Sequence, residues 1–313
     1  MNPRDLCRRL SVCALAIIAT ALMPGPSALA ESTIVDSGGR QVRVGDTSRI
    51  LSVGGDITEI LYALGAAKRI VAVDTTSQFP PEALREKKSV GYMRALSAEG
   101  VLSVDASLII ASDRSGPPEV VKALKSTPVP YVEIGEELNP FGVVKKVRLV
   151  ARIVGLEREG EQLAARLEQE FKMLAALQAA IKKPVRALFV FNVVNGRATV
   201  GGADSSADAI LRLAGAENAA AAVTGFKPLS DEAVVKLQPD FIVTMRRSSG
   251  GHDTERLLSM PGLAATPAVA ARRIVTMDGL YLLGFGPRTA SAAIELMRAL
   301  YPGLPARRAE LAR

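Results

Sequence analysis

The chain has 313 residues, a formal net charge of +7, 4% aromatic residues, no Trp and a single His. Nucleic-acid recognition needs clustered basic residues and stacking aromatics, and this spread-out excess with few rings excludes it. Both cysteines, Cys7 and Cys13, fall in the first thirty residues, so the rest of the chain has no disulfide, thiol or Cys–metal chemistry.

Those thirty residues read as a secretory signal peptide. Arg4, Arg8 and Arg9 form a basic start, Leu10 to Met23 is an apolar run, and Pro24-Gly25-Pro26 breaks it. Ala28-Leu29-Ala30 is a small-x-small cleavage signature. A lipid anchor would need a Cys at the cleavage point, and Cys13 lies inside the apolar run. Export without cysteine in the mature chain points to a bacterial periplasm.

Residues 31–154 alternate strand and helix. Asp36-Ser37-Gly38-Gly39-Arg40 predicts a hairpin turn. Arg49 to Val53 reads as a strand, followed by a Gly54-Gly55-Asp56 turn with Asp56 or Thr58 as the helix cap. Ile57, Ile60, Leu61 and Leu64 form a helical stripe closed by Gly65, and Arg69 to Val73 is the next strand. This is a βαβ unit and implies a parallel sheet. Thr75 to Lys88 reads as a polar loop. Ser97 caps a short helix ending at Leu102, and Leu108 to Ala111 is an apolar strand buried on both faces. A helix over Glu119 to Lys125 and a strand from Val129 to Ile134 complete the lobe.

Val143, Val147, Val150 and Val154 then mark a helix stopped by Gly155. From Glu157 to Ile181 the stripe of Leu163, Leu167, Phe171 and Leu174 continues, a span of roughly 37 Å at 1.5 Å per residue. Residues 155–183 are therefore expected to be a stiff connecting helix. Residues 184–313 form a second α/β lobe. It has a strand from Val185 to Val194, a turn at Thr199-Val200-Gly201-Gly202 and a helix from Ser205 to Leu213. Strands over Phe241 to Thr244 and Arg273 to Thr276 follow, with a last helix over Thr289 to Leu300. The expected architecture is two α/β lobes joined by one long helix.

The lobes echo each other. Leu96-Ser97-Ala98-Glu99-Gly100-Val101 and Leu229-Ser230-Asp231-Glu232-Ala233-Val234 share L-S-x-E-x-V ahead of a strand. Ile60 to Ala66 and Ile210 to Ala216 form a weaker pair. Taken by residue type, Glu99 and Glu232 are helix-start carboxylates favoured by the macrodipole.

Enzyme chemistry finds little to stand on. His252 lies in a Gly/Ser-rich loop, and there is no G-x-S-x-G, P-loop, H-E-x-x-H or complete G-x-G-x-x-G motif. A secreted hydrolase using a Ser and His252 is the one alternative of a different class.

The stretch Val90-Gly91-Tyr92-Met93-Arg94-Ala95-Leu96-Ser97-Ala98-Glu99-Gly100 resembles the haem-binding branch of the ABC-importer substrate-binding proteins. Gly54-Gly55-Asp56-Ile57-Thr58-Glu59-Ile60, Met277-Asp278-Gly279 and Gly284-Phe285-Gly286-Pro287-Arg288-Thr289 are similar to the same branch. The subclass serves vitamin B12, siderophores and haem. The resemblance implies two Rossmann-like lobes on a single connecting helix, a class III periplasmic binding protein. It implies Tyr92 as axial ligand of ferric haem, a hard anionic oxygen donor suited to Fe(III). A phenol ordinarily ionises near about pH 10, so the metal itself favours the anion. Arg94, two residues on, shares a face with Tyr92 if the segment is extended. Arg246 or Arg247, at the carboxyl end of a second-lobe strand, is placed to pair with a propionate, and Tyr281 to line the pocket. Glu99 and Glu232 are implied to dock on Arg pockets of the permease subunits. An outer-membrane haem receptor system is the implied partner upstream. Cobalamin or a ferric siderophore is the alternative cargo.

Overall fold

The computed structural model describes residues 32–246 and 259–304. Glu31–Arg313 forms one compact unit. A hairpin opens it, with β1 (Ser32–Val35) antiparallel to β2 (Gln41–Val44) across the expected Asp36–Arg40 turn. The first sheet contains β3 (Ile50–Val53), β4 (Ile70–Val73), β5 (Lys88–Ser89), β6 (Leu108–Ser112) and β7 (Tyr131–Ile134), in the order β5-β4-β3-β6-β7 and all parallel. Its helices are α1 (Gly55–Ala63), α2 (Glu82–Glu86), α3 (Ala98–Leu102) and α4 (Pro118–Lys125). Then come α5 (Pro140–Ile153) and α6 (Glu157–Gln178).

The second sheet runs β11-β9-β8-β12-β13, with β10 also paired to β8. In chain order it comprises β8 (Arg186–Val194), β9 (Arg197–Gly201), α7 (Ser206–Leu213), β10 (Glu217–Asn218), β11 (Phe226–Leu229), α8 (Asp231–Leu237) and β12 (Phe241–Arg246). After residue 258 follow α9 (Pro261–Ala264), α10 (Pro267–Ala270), β13 (Ile274–Asp278), α11 (Gly279–Leu283) and α12 (Thr289–Leu300).

Strand alternation divides the core into three. Ile50, Leu108 and Ile110 of the first sheet and Ala187, Phe189, Val243 and Met245 of the second point into one continuous cluster shared with α1, α5, α6, α7 and α12. Leu51, Val53, Ile109 and Ala111 face a separate cluster with α3 and α4. Leu188, Val190, Ile242 and Val234 form its counterpart on the second lobe. The lobes are therefore joined by a common core as well as by a helix. Helix α6 buries Leu163, Ala164, Leu167, Phe171 and Leu174, and its 22 residues span roughly 33 Å. It is no bare strut, because α5 packs along it. Gly160 allows this approach, since a Cβ there would lie 2.3 Å from the Ala151 Cβ.

Four expectations are corrected. Helix α1 begins one residue after Gly54 with no side-chain cap, because Thr58 is buried and bonded to Ser52 and Ser77 while Asp56 is taken by Lys146. The Thr75–Lys88 loop contains α2. The connecting helix ends at Gln178, three residues short of Ile181. Thr199-Val200-Gly201 is no turn but part of β9, which pairs antiparallel with β8 through a hairpin at Asn195-Gly196. The turn residues of that hairpin both have positive φ, a signal available in the sequence.

Candidate functional site

The carboxyl ends of the two sheets meet at a seam built on α1. Gly55 packs so closely that a Cβ would fall 2.2 Å from the Thr76 carbonyl oxygen and 2.8 Å from Leu280 of α11. One turn on, the Glu59 carboxylate accepts the Arg288 backbone N–H at 3.1 Å and a guanidinium N–H at 2.8 Å. The guanidinium lies 3.6 Å from the Phe79 ring centroid and 5.0 Å from that of Tyr281. Burial outweighs Arg288 and holds the Glu59 carboxyl above its usual range. Beside it, Lys146 of α5 pairs with Asp56 and points at the Phe285 carbonyl, and Arg114 pairs with Glu136 at 2.7 Å. The floor between the lobes is thus charged and internally compensated.

Tyr92 stands at the edge of this region, after β5. Its backbone carbonyl accepts the Ala95 N–H at 2.8 Å, so Tyr92 to Ala95 is a turn and not the extended segment expected. Exposure still alternates. Met93 is half-buried against the outer core of the first lobe, while Tyr92 and Arg94 point outward. Tyr92 is 47% exposed, large for an aromatic residue in a locked turn. Among the described residues its hydroxyl and the Arg94 guanidinium make no hydrogen bond or ion pair. Gly91, at φ 88°, enters the turn in a conformation that favours glycine.

The second lobe brings Arg246, exposed at the carboxyl end of β12, and Tyr281 in α11. Asp278 caps α11 by accepting the Tyr281 N–H at 2.9 Å. Burial, with the Glu295 carboxylate next, pushes the Tyr281 phenol up to about 12. Half-buried beside Glu295, it is suited to lining a pocket or donating a hydrogen bond. Arg247 and His252 lie outside the described residues. Val193 and Val194, inside the expected Val185–Val194 strand, extend β8 past its pairing with β12 and are 37% and 47% exposed. The sequence reading gave no account of this exposed end. It also missed the Glu59–Arg288 pair, which joins residues 229 apart and left no spacing signal.

Glu99 and Glu232 sit at matching places, each two residues after a capping serine. Ser97 Oγ accepts the Gly100 N–H at 3.0 Å, and Ser230 Oγ accepts the Ala233 N–H at 3.3 Å. Both carboxylates are exposed. Glu232 is held below its usual range by its own backbone N–H and the Ser230 hydroxyl. A surface hollow of about 410 Å³ beside it is lined by Asp231, Val235, Lys236, Pro261 and Gly262. Among the described residues no cluster of three or more His, Cys, Asp or Glu could hold a bare metal ion, and no helix is long and apolar enough to cross a membrane.

Comparison with known proteins bears on this geometry. The model of a family described as periplasmic binding protein matches residues 50–281. The periplasmic heme-binding protein RhuT from Roseiflexus sp. RS-1, solved in apo form, is 38% identical, with a TM-score of 0.77, covering 83% of this chain and 100% of that one. An uncharacterized ABC transporter substrate-binding lipoprotein of Bacillus subtilis, YvrC, is 28% identical over 274 residues, covering 86% of this chain and 85% of that protein. A vitamin B12-binding protein of Pectobacterium carotovorum is 24% identical over 268 residues, covering 82% of this chain and 90% of that protein.

Proposed function

The chain belongs to the periplasmic binding protein family, and on that premise we propose that it carries ferric haem between its lobes to an ABC importer, without catalysis. Its two α/β lobes on one long helix are the class III architecture of that family. The observation that carries the reading is Tyr92, an outward-facing phenol on a fixed turn at the carboxyl edge of the first sheet, where open α/β sheets hold ligands. The solved heme-binding relative at 38% identity gives it direct support.

Tyr92 supplies the axial oxygen to iron. Arg94, on the same turn, neutralises the phenolate or a propionate, and Arg246 takes a propionate from the second lobe. Tyr281 lines the pocket as a neutral phenol. Glu99 and Glu232, held at the starts of α3 and α8, engage cationic pockets on the permease subunits. Cleavage near Ala30 releases the mature protein into the periplasm, downstream of an outer-membrane haem receptor system.

The vitamin B12-binding relatives favour cobalamin as the second reading. Titration of the mature protein with haemin and, separately, with cyanocobalamin separates the two. Haem binding gives a Soret shift and an iron–phenolate charge-transfer band, both lost in Tyr92→Ala. A response to cyanocobalamin and none to haemin overturns the haem reading.

A further inference from the structure

Asp74 is fully buried one residue past β4, and all its partners in the structure are neutral donors. Oδ1 accepts the Gly54 N–H at 2.8 Å, the Thr76 hydroxyl at 3.0 Å and the Ser77 hydroxyl at 3.3 Å. Oδ2 accepts the Thr76 N–H at 2.9 Å. Ser77 continues to Thr58 and then to Ser52, each hydroxyl pair 2.7 Å apart. The carboxylate thus pins residues 74–77 to the start of α1, and Thr76 Oγ1 completes the clamp by accepting the Gly55 N–H at 2.9 Å.

Two of these four residues, Thr75 and Thr76, contact the Tyr92 turn on either side of Tyr92. The Thr75 N–H donates to the Gly91 carbonyl at 2.9 Å, just before Tyr92. Thr76 Oγ1 lies 3.9 Å from Met93 Sδ, just after it. A buried carboxylate is a costly way to shape a loop, and a hydrophobic replacement would ordinarily serve. What it offers is a single geometry, because a fully satisfied polar network admits few alternatives.

We propose that Asp74 is a positioning residue for the iron ligand: acting through Thr75 and Thr76, it fixes the Tyr92 turn against α1 so that the phenol meets haem iron in one orientation. This rests on the haem reading. Groups bonded directly to a metal ligand change metal affinity by about 10–100-fold when removed; Asp74 acts one step further back, on the backbone that carries Tyr92, so the lower end of about 10-fold is expected.

The test is haemin titration of the mature protein carrying Asp74→Asn, Thr76→Val or Thr76→Ser. Asn keeps the size of the side chain but turns an amide N–H toward the Thr76 N–H. Expected are an affinity loss of about 10-fold and a shifted or weakened iron–phenolate band at saturating haem, in both Asp74→Asn and Thr76→Val. Thr76→Ser keeps the hydroxyl and the wild-type band. Thr76→Val serves as the deciding variant should Asp74→Asn not fold. A lower Tm with affinity and band unchanged overturns the proposal and leaves Asp74 a packing residue. A wild type without any haem spectrum sinks the haem reading and this inference together, whereas a wild-type spectrum that both variants keep sinks the inference alone.

Discussion

The two lobes are built on one plan and diverge where the ligand is expected. Helices α1 and α7 end alike, with Gly65 and Gly215 in the left-handed region and the next residue bonded back five positions, Ala66 to Leu61 and Ala216 to Leu211. Helices α3 and α8 begin alike, capped by Ser97 and Ser230. Ahead of α7 the second lobe inserts β9, which turns back antiparallel beside β8, and after α7 the strand β10 has only two residues. β11 then pairs with β9, and Phe226 is absorbed into a sheet. The first lobe has no such insertion, and the corresponding chain before α3 stays free as the turn that displays Tyr92. A duplicated scaffold thus leaves a free turn before α3 in one copy, while β11 fills the matching place in the other by pairing with β9.

That asymmetry predicts the largest effect. Tyr92→Phe abolishes the iron–phenolate band, and Tyr281 does not replace it, because it is half-buried in α11 against Arg288 and not displayed on a free turn. Tyr281→Phe keeps the band with a modest loss of affinity, read by the same haemin titration. If Tyr281→Phe removed the band, the assignment of the lobes would be reversed.

The next effect tests the seam that joins them. Arg288→Ala strands the buried Glu59 carboxylate and costs about 3–5 kcal/mol in urea unfolding. Glu59→Gln in the same chain recovers part of that loss, since the stranded charge is gone. Smaller again is Gly160→Leu, which forces α6 off Ala151 and costs about 1–3 kcal/mol. Because the inner core is continuous, both lobes lose stability in one transition, and two separate transitions would contradict a shared core. The smallest effect is the symmetrical one. Ser97→Ala and Ser230→Ala each cost about 1 kcal/mol in the same unfolding assay. A large inequality between them would mark one Ser as more than a cap.

Local signals carried far. The apolar strands β3, β6 and β12, the caps Ser97 and Ser230 and the helix stop at Gly65 depend on neighbouring residues, and sequence spacing displays neighbours. The placement of Tyr92 on a loop after a first-lobe strand was legible for the same reason. The hairpin of β8 and β9 was missed although Asn195-Gly196 announces it, because the long apolar run before it drew attention to a buried strand and the following glycines to a turn.

The sequence by itself determined which segments become most of the strands and helices, and the internal echo. Only the tertiary structure decided that Arg288 belongs to Glu59, that Asp74 holds the Tyr92 turn, that both sheets share one core, and that Tyr281 lies against Arg288. The first group follows from periodicity and hydrogen-bonding preference over a few residues. The second depends on burial and on contacts between residues far apart in the chain, and neither exists until the tertiary fold has formed.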